Sequence, residues 1–357
     1  MIESFVRQLP KADIHLHLDG SARPTTVLEL SKAQNAELPT DLEELTRMMH
    51  VDENTNSLDE YLSRFSVPLT VMQEAEALER ISFELAEDCF NDGITYAEIR
   101  FSPYLHVAKG LALDEIMVAV WTGAQRAMAQ YSIVCRFIVC GLRHMTADQV
   151  DELARLALRH LDHGVVAFDM AGSERGLISQ THPTAIEIVH SNPKLRLTLH
   201  SGEAAGAESV RDSIVECRAD RIGHGVRMRE DPTLVTLAVG RRVALEMCPT
   251  SNLQTKTVLS MSDWPIRQYL DAGLPTVICT DNRTVSNITL THEYMLVHEQ
   301  CGLTLADLAR VADYGFEVAF IEEGERKKIR QQAREVASKL LLEHGVDPEG
   351  VYKVKEV

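Results

Sequence analysis

Four apolar, strand-like runs in this chain of 357 residues each stop at a side chain that binds metal ions. His15 and His17 follow 11–14, His200 follows 195–199, His224 follows 221–223, and Asp281 follows 275–279. Chemistry carried on strand ends that lie far apart in sequence needs a fold that gathers those ends, and a (β/α)8 barrel does so at the C-terminal face of its sheet. Eight candidate strands fit that architecture: 12–16, 95–101, 133–140, 165–170, 195–200, 221–224, 243–247 and 276–280. Between them, at 78–91, 113–130, 147–161, 183–191 and 210–217, apolar residues recur at helical spacing, the alternation expected of βα units around a parallel sheet. The expected fold class is therefore α/β, a (β/α)8 TIM barrel, with a helical lid insertion at about 33–76 after the first strand.

No Pro/Gly/Ser-rich linker, low-complexity tract or fixed-period repeat divides the chain, so 1–357 reads as one domain. The segment 33–76 is the largest irregular stretch, and long segments at such a place form lids or binding walls. Within it Leu58, Tyr61, Leu62 and Phe65 share one helical face and are expected over the site. The competing reading packs that stripe on the outer helices alone.

Composition removes several classes of function. With 45% hydrophobic and 25% charged residues the chain is an ordinary globular protein, and a net charge of -17 opposes a nucleic-acid partner, which would reward clustered Lys and Arg. Residues 1–10 carry Glu3 and Arg7 and no continuous apolar run, and no stretch reaches spanning length. The expectation is a cytoplasmic protein with no membrane partner. Seven scattered cysteines without a Cys-x-x-Cys pair support neither a disulfide framework nor a thiolate zinc site. Cys135, Cys140, Cys248 and Cys279 sit in strand-like runs and read as small buried hydrophobes.

In a strand, residues i and i+2 point the same way, so His15 and His17 can present two imidazoles to one ion. A lone His-x-His is equally a hydrogen-bonded structural pair; two further strand-end histidines and an aspartate turn the reading towards a metal centre. Zinc takes imidazole nitrogen and carboxylate oxygen and leaves a position for water in catalytic sites, while iron or manganese would fit the same shell. Spacing does not separate His224 as a ligand from His224 as a neighbour of the ligands. Glu203, three residues past His200, can face the metal without binding it and so carry protons. Its alternative is a carboxylate at a helix N-terminus. Asn252 lies near the active face by position, as either a turn residue or a substrate contact.

The motifs around these residues resemble the adenosine deaminase family of the amidohydrolase superfamily from Leu9 to about Phe320. They are Pro10-Lys-Ala-Asp-Ile-His-Leu-His-Leu-Asp-Gly20, Tyr96-Ala-Glu-Ile-Arg-Phe-Ser-Pro103, Phe168-Asp-Met-Ala-Gly-Ser-Glu174 and Thr198-Leu-His-Ser-Gly-Glu-Ala-Ala-Gly206. Arg221-Ile-Gly-His-Gly-Val226, Glu246-Met-Cys-Pro-Thr-Ser-Asn252 and Thr280-Asp281 follow. The resemblance implies one zinc per chain on His15, His17, His200 and Asp281, with Glu203 as proton donor. It further implies that His224 orients and helps deprotonate the attacking water. Gly172 would give its backbone amide to the purine, Asp19 would bind the ribose 5′ hydroxyl, and His17 would also touch substrate. The implied partner is a purine nucleoside, adenosine or 2′-deoxyadenosine, in purine salvage. A 5′-extended adenosine such as aminodeoxyfutalosine is the alternative. Adenine-specific relatives usually read Ile-Glu-Gly where this chain has Leu18-Asp19-Gly20, and a non-catalytic binder would have no use for Glu203. Many relatives read Asp-Asp-Pro where this chain has Asp281-Asn282-Arg283; the second aspartate contacts purine N7, and Asn282 can donate there through its amide.

Overall fold

The computed structural model describes residues 2–52, 55 and 57–352. Its strands are β1 (Lys11–His17), β2 (Ile94–Phe101), β3 (Val134–Leu142), β4 (Val165–Ala171), β5 (Arg196–Ser201), β6 (Arg221–His224), β7 (Ala244–Met247) and β8 (Thr276–Ile278). Each pairs in parallel with the next, in chain order. The ring closes just past β8: the His17 N–H donates to the Asp281 carbonyl at 2.7 Å, and the Asp281 N–H to the His15 carbonyl at 2.8 Å. The molecule is a (β/α)8 barrel.

Alternation along β1 shows why these residues make a barrel wall. Ala12 and Ile14 pack outward in one buried cluster with Val277, Cys279 and Phe316. The helix Leu305–Glu317 comes so close that a Cβ on Gly315 would lie 2.9 Å from that of Ala12, so only glycine fits there. The intervening Asp13 and His15 are also fully buried, on the inner side. Inside, charge replaces the branched aliphatics usual in such barrels. Arg100 reaches Asp169 at 2.8 Å and Glu246 at 2.7 Å, and Arg221 reaches Glu246 at 2.7 Å and also Glu98. Removing one member would leave a partner charged and buried, at a cost of about 3–5 kcal/mol.

The segment at 33–76 carries the expected helical lid, with Leu42–Met49, Leu58–Ser63 and Ser66–Val71 in succession. Caps start the first two: Asp41 accepts from the Glu44 N–H at 2.9 Å and Ser57 from the Glu60 N–H at 3.2 Å. Residues 53, 54 and 56 of that segment lie outside the described residues. The end of β8 differs from expectation: the last strand stops at Ile278 and not at 280, and pairing resumes only at Asp281 (φ 60°), which bridges Leu16 of β1. Among the described residues no helix is long and apolar enough to cross a membrane.

Candidate active site

The strand ends of β1, β5 and β8 meet at the C-terminal mouth. His15 Nδ1 lies 2.9 Å from a Glu246 oxygen, which turns its Nε2 towards the mouth. That Nε2 is buried with no hydrogen-bond partner among the described residues, 3.5 Å from Asp281 Oδ1. His17 Nε2 is 3.3 Å from the same oxygen, and His200 Nδ1 lies 2.8 Å from Asp169 Oδ2, without full hydrogen-bond alignment. One donor atom from each of His15, His17, His200 and Asp281 falls within 4.8 Å of the others. His224 stands beside this group, its ring centroid 4.9 Å from that of His15 and 5.2 Å from that of His200.

Ionisation suits a cation. Burial lowers the pKa of His17, His200 and His224 below the usual imidazole value, leaving neutral rings, whereas at His15 burial and Arg100 act downward but are outweighed by Asp281 and Glu246, which raise it. Burial opposes the charge on Asp281, but His15 and His17 outweigh it and hold the carboxyl well below the usual range. Neutral imidazoles and an ionised carboxylate are the forms that bind a divalent metal. The orphaned His15 nitrogen, aimed into a ring of three other donors, fits one. Both His224 (φ 62°) and Asp281 (φ 60°) hold left-handed backbones, each costing about 1–3 kcal/mol and tolerated where the surroundings over-determine the position.

Glu203 follows β5 on a tight loop. Gly202 (φ 72°) makes the turn, and a Cβ there would meet Val210 at 2.5 Å. The Glu174 carboxylate then gathers the loop, accepting from the N–H groups of Gly202 (2.7 Å), Glu203 (3.0 Å), Ala204 (2.8 Å) and Ala205 (2.8 Å) and from the Ser209 hydroxyl (2.5 Å). Held so, Glu203 Oε2 lies 3.6 Å from His224 Nε2. Burial first, then the charges of Asp281 and Glu174, push the Glu203 pKa well above the usual carboxylate value.

Above these groups is a cavity of about 460 Å³ with His17, His200, Glu203, His224 and Asp281 at its base. Asp19, Gly172 and Asn282 line its sides, and Leu58, Tyr61, Leu62 and Phe65 of the lid wall it, so the apolar stripe faces the site. The Tyr61 hydroxyl bonds Ser286 Oγ at 2.7 Å, tying the lid to the loop after Asn282. Gly20 makes room for Asn282, since a Cβ there would come 1.9 Å from Asn282 Oδ1. His15 lies beneath, fully buried. All the residues singled out in the sequence thus converge. Sequence reasoning assigned no role to Glu174, Glu246, Asp169 or Trp264, and left Asn252 as a turn residue or substrate contact. Asn252 contacts the His224 ring, at 3.0 Å. Four of these five sit inside or at the end of the quoted motifs, where position alone was the available signal.

Fold and site define the class: a (β/α)8 barrel with a cluster of metal-binding side chains at its C-terminal mouth. A family model described as adenosine deaminase matches residues 10–336. A probable adenosine deaminase of Dictyostelium discoideum is 42% identical over 351 residues, which are 98% of this chain; the chain spans 45% of that relative's length. An adenosine deaminase of Vibrio vulnificus is 46% identical over 301 residues, covering 84% of this chain and 90% of the relative. The solved N6-methyl-AMP deaminase from Arabidopsis thaliana superposes with a TM-score of 0.81 at 25% identity, over 96% of this chain and 100% of that one. The chain belongs to the adenosine deaminase family, a family of metal-dependent hydrolytic deaminases, and is an enzyme of that class.

Proposed function

We propose that the protein hydrolyses adenosine and 2′-deoxyadenosine to inosine and 2′-deoxyinosine with release of ammonia, as a cytoplasmic enzyme of purine salvage. The observation that carries this reading is the cavity: it joins the donor cluster and Glu203 to a chamber with no lysine or arginine among its described lining residues. Asp19 lines it instead, and Arg175, the cation next to the wall, is paired with Asp59 at 3.1 Å, so a 5′ phosphate would meet a carboxyl where a neutral hydroxyl can bond. Asp19, pushed up to about 7 by burial, can donate to or accept from that hydroxyl near neutral pH.

His15, His17, His200 and Asp281 would hold the resident metal, for which zinc fits the three-nitrogen, one-oxygen set. Zinc bound there supplies Lewis acidity, lowering the pKa of water to about 7. The chain's own groups do the rest. The Gly172 amide and Asn282 orient the purine, and the lid face of Leu58, Tyr61, Leu62 and Phe65 closes off bulk water. Glu203 keeps its proton at neutral pH and delivers it to purine N1, which makes C6 electrophilic. Water oxygen adds to C6 beside His224, which orients it. The amino group leaves with a proton that came from the water, and the C6 carbonyl forms.

Ammonia release from adenosine, deoxyadenosine, adenine, AMP and a 5′-extended adenosine tests the reading. The expected result is that both nucleosides exceed AMP in kcat/KM by at least about 10²-fold, the scale of a charge left unmatched. A preference for AMP, adenine or the extended substrate would overturn it.

A further inference from the structure

A neutral imidazole carries one N–H and one bare nitrogen, and which of them faces the reacting atoms decides whether it gives a hydrogen bond or takes a proton. His224 points Nε2 at the Glu203 side of the site and Nδ1 at the side-chain amide of Asn252, 3.0 Å away. Asn252 is fully buried, and its other amide atom lies 3.0 Å from Trp264 Nε1. An indole N–H can only donate. The amide atom facing Trp264 must therefore be the oxygen, and the one facing His224 must be the NH2 group, which also only donates. His224 Nδ1 is left as the acceptor, so the proton sits on Nε2. The reverse arrangement would set the indole N–H against an amide N–H in a dry pocket, where Trp264 is 4% exposed and His224 1%. Two buried donors would then go unpaired.

We propose that Trp264 and Asn252 are positioning residues that lock His224 in the Nε2–H form, so that it meets the attacking oxygen as a hydrogen-bond donor and not as a general base. The inference rests on the deaminase reading of the site. A donor at that point stabilises the negative charge that grows on oxygen as it adds to C6. Proton traffic then belongs to Glu203 alone. Having protonated N1, its carboxylate takes one proton from the attacking water and passes it to the departing amine. It recovers the second as the C6 carbonyl forms, so the acid is regenerated and the atoms balance.

The test is 15N NMR of zinc-loaded protein labelled in histidine, with the His224 signals assigned by their loss in His224→Gln. The wild type is expected to show a protonated Nε2 and a bare Nδ1. Asn252→Asp offers Nδ1 an acceptor and should invert that pattern. It should also lower kcat by about 10²–10⁴-fold, the range seen when a catalytic imidazole is held in the wrong tautomer, with KM and metal content little changed. Trp264→Phe frees the amide to flip and should show a mixture of the two forms with a smaller loss. If His224 acted as a base, Asn252→Asp would retain or raise kcat; that result, or a wild-type proton on Nδ1, overturns the proposal. Should Asn252→Asp fail to fold, the wild-type spectrum decides alone. Absence of deaminase activity in the wild type would sink the proposed function while leaving the tautomer measurement intact.

Discussion

A single carboxyl, that of Glu203, is asked to be acid at neutral pH although its ordinary pKa would leave it ionised. Burial with Asp281 and Glu174 nearby supplies the upward shift. Two outcomes follow. Glu203→Gln keeps the shape and loses the proton, so kcat should drop by at least about 10²-fold with metal content unchanged by elemental analysis. In the wild type, kcat/KM should fall as pH rises through the raised pKa, since the acid form is then lost, and Glu203→Gln should lack that basic limb. A variant with near-normal turnover would remove Glu203 from the chemistry. The donor cluster was legible in the sequence because each member closes a short apolar run, and four such closures in barrel order are hard to read otherwise; Glu203 was reached only through its place three residues past His200. Glu246 was not: it braces His15 from 231 positions away, and nothing local marks a buried acid's distant partner.

Between residue and fold stands the loop of 202–205, shaped by one side chain from the end of a different strand. Glu174 accepts four backbone N–H groups there. In Glu174→Gln one of the two accepting oxygens becomes an NH2 group facing donors, so the loop must shift. The expected loss is about 1–3 kcal/mol of stability by denaturant unfolding, the cost of buried polar groups left unpaired. It should come with a fall in kcat of up to about 10²-fold from misplacement of Glu203 and a smaller change in KM. Unaltered kinetics would show that the loop holds itself. The eight strands were readable from alternation and length, and the lid's helical character from the stripe of Leu58, Tyr61, Leu62 and Phe65, whereas its helix bounds were not: Leu58–Ser63 and Ser66–Val71 have six residues each, under two turns, too few for a helical period to mark their ends. The early end of β8 was hidden as well, because the apolar run continues past Ile278 into Cys279 with no turn residue to mark the stop.

For the whole molecule, the charged interior and the metal cluster share strands. Arg100, Glu246 and Asp169 buttress His15 and His200 from behind, so stripping the metal should loosen the mouth and leave the barrel folded. An ion that binds only the native state adds about 2.7 kcal/mol at a free concentration of 100 times its Kd. Prolonged chelation should therefore lower the melting temperature by several degrees in calorimetry, and zinc should restore both melting temperature and activity. A melting curve indifferent to chelator would mean that no ion occupies the site.

The two backbone bonds that close the barrel join His15 and His17 to Asp281, so an ion held by this cluster would be shared between the first strand made by the ribosome and the segment that follows the last one. No nascent chain can load that ion in full until residue 281 has cleared the exit tunnel. A chain cut short before residue 281 would carry the three histidines and lack the fourth donor.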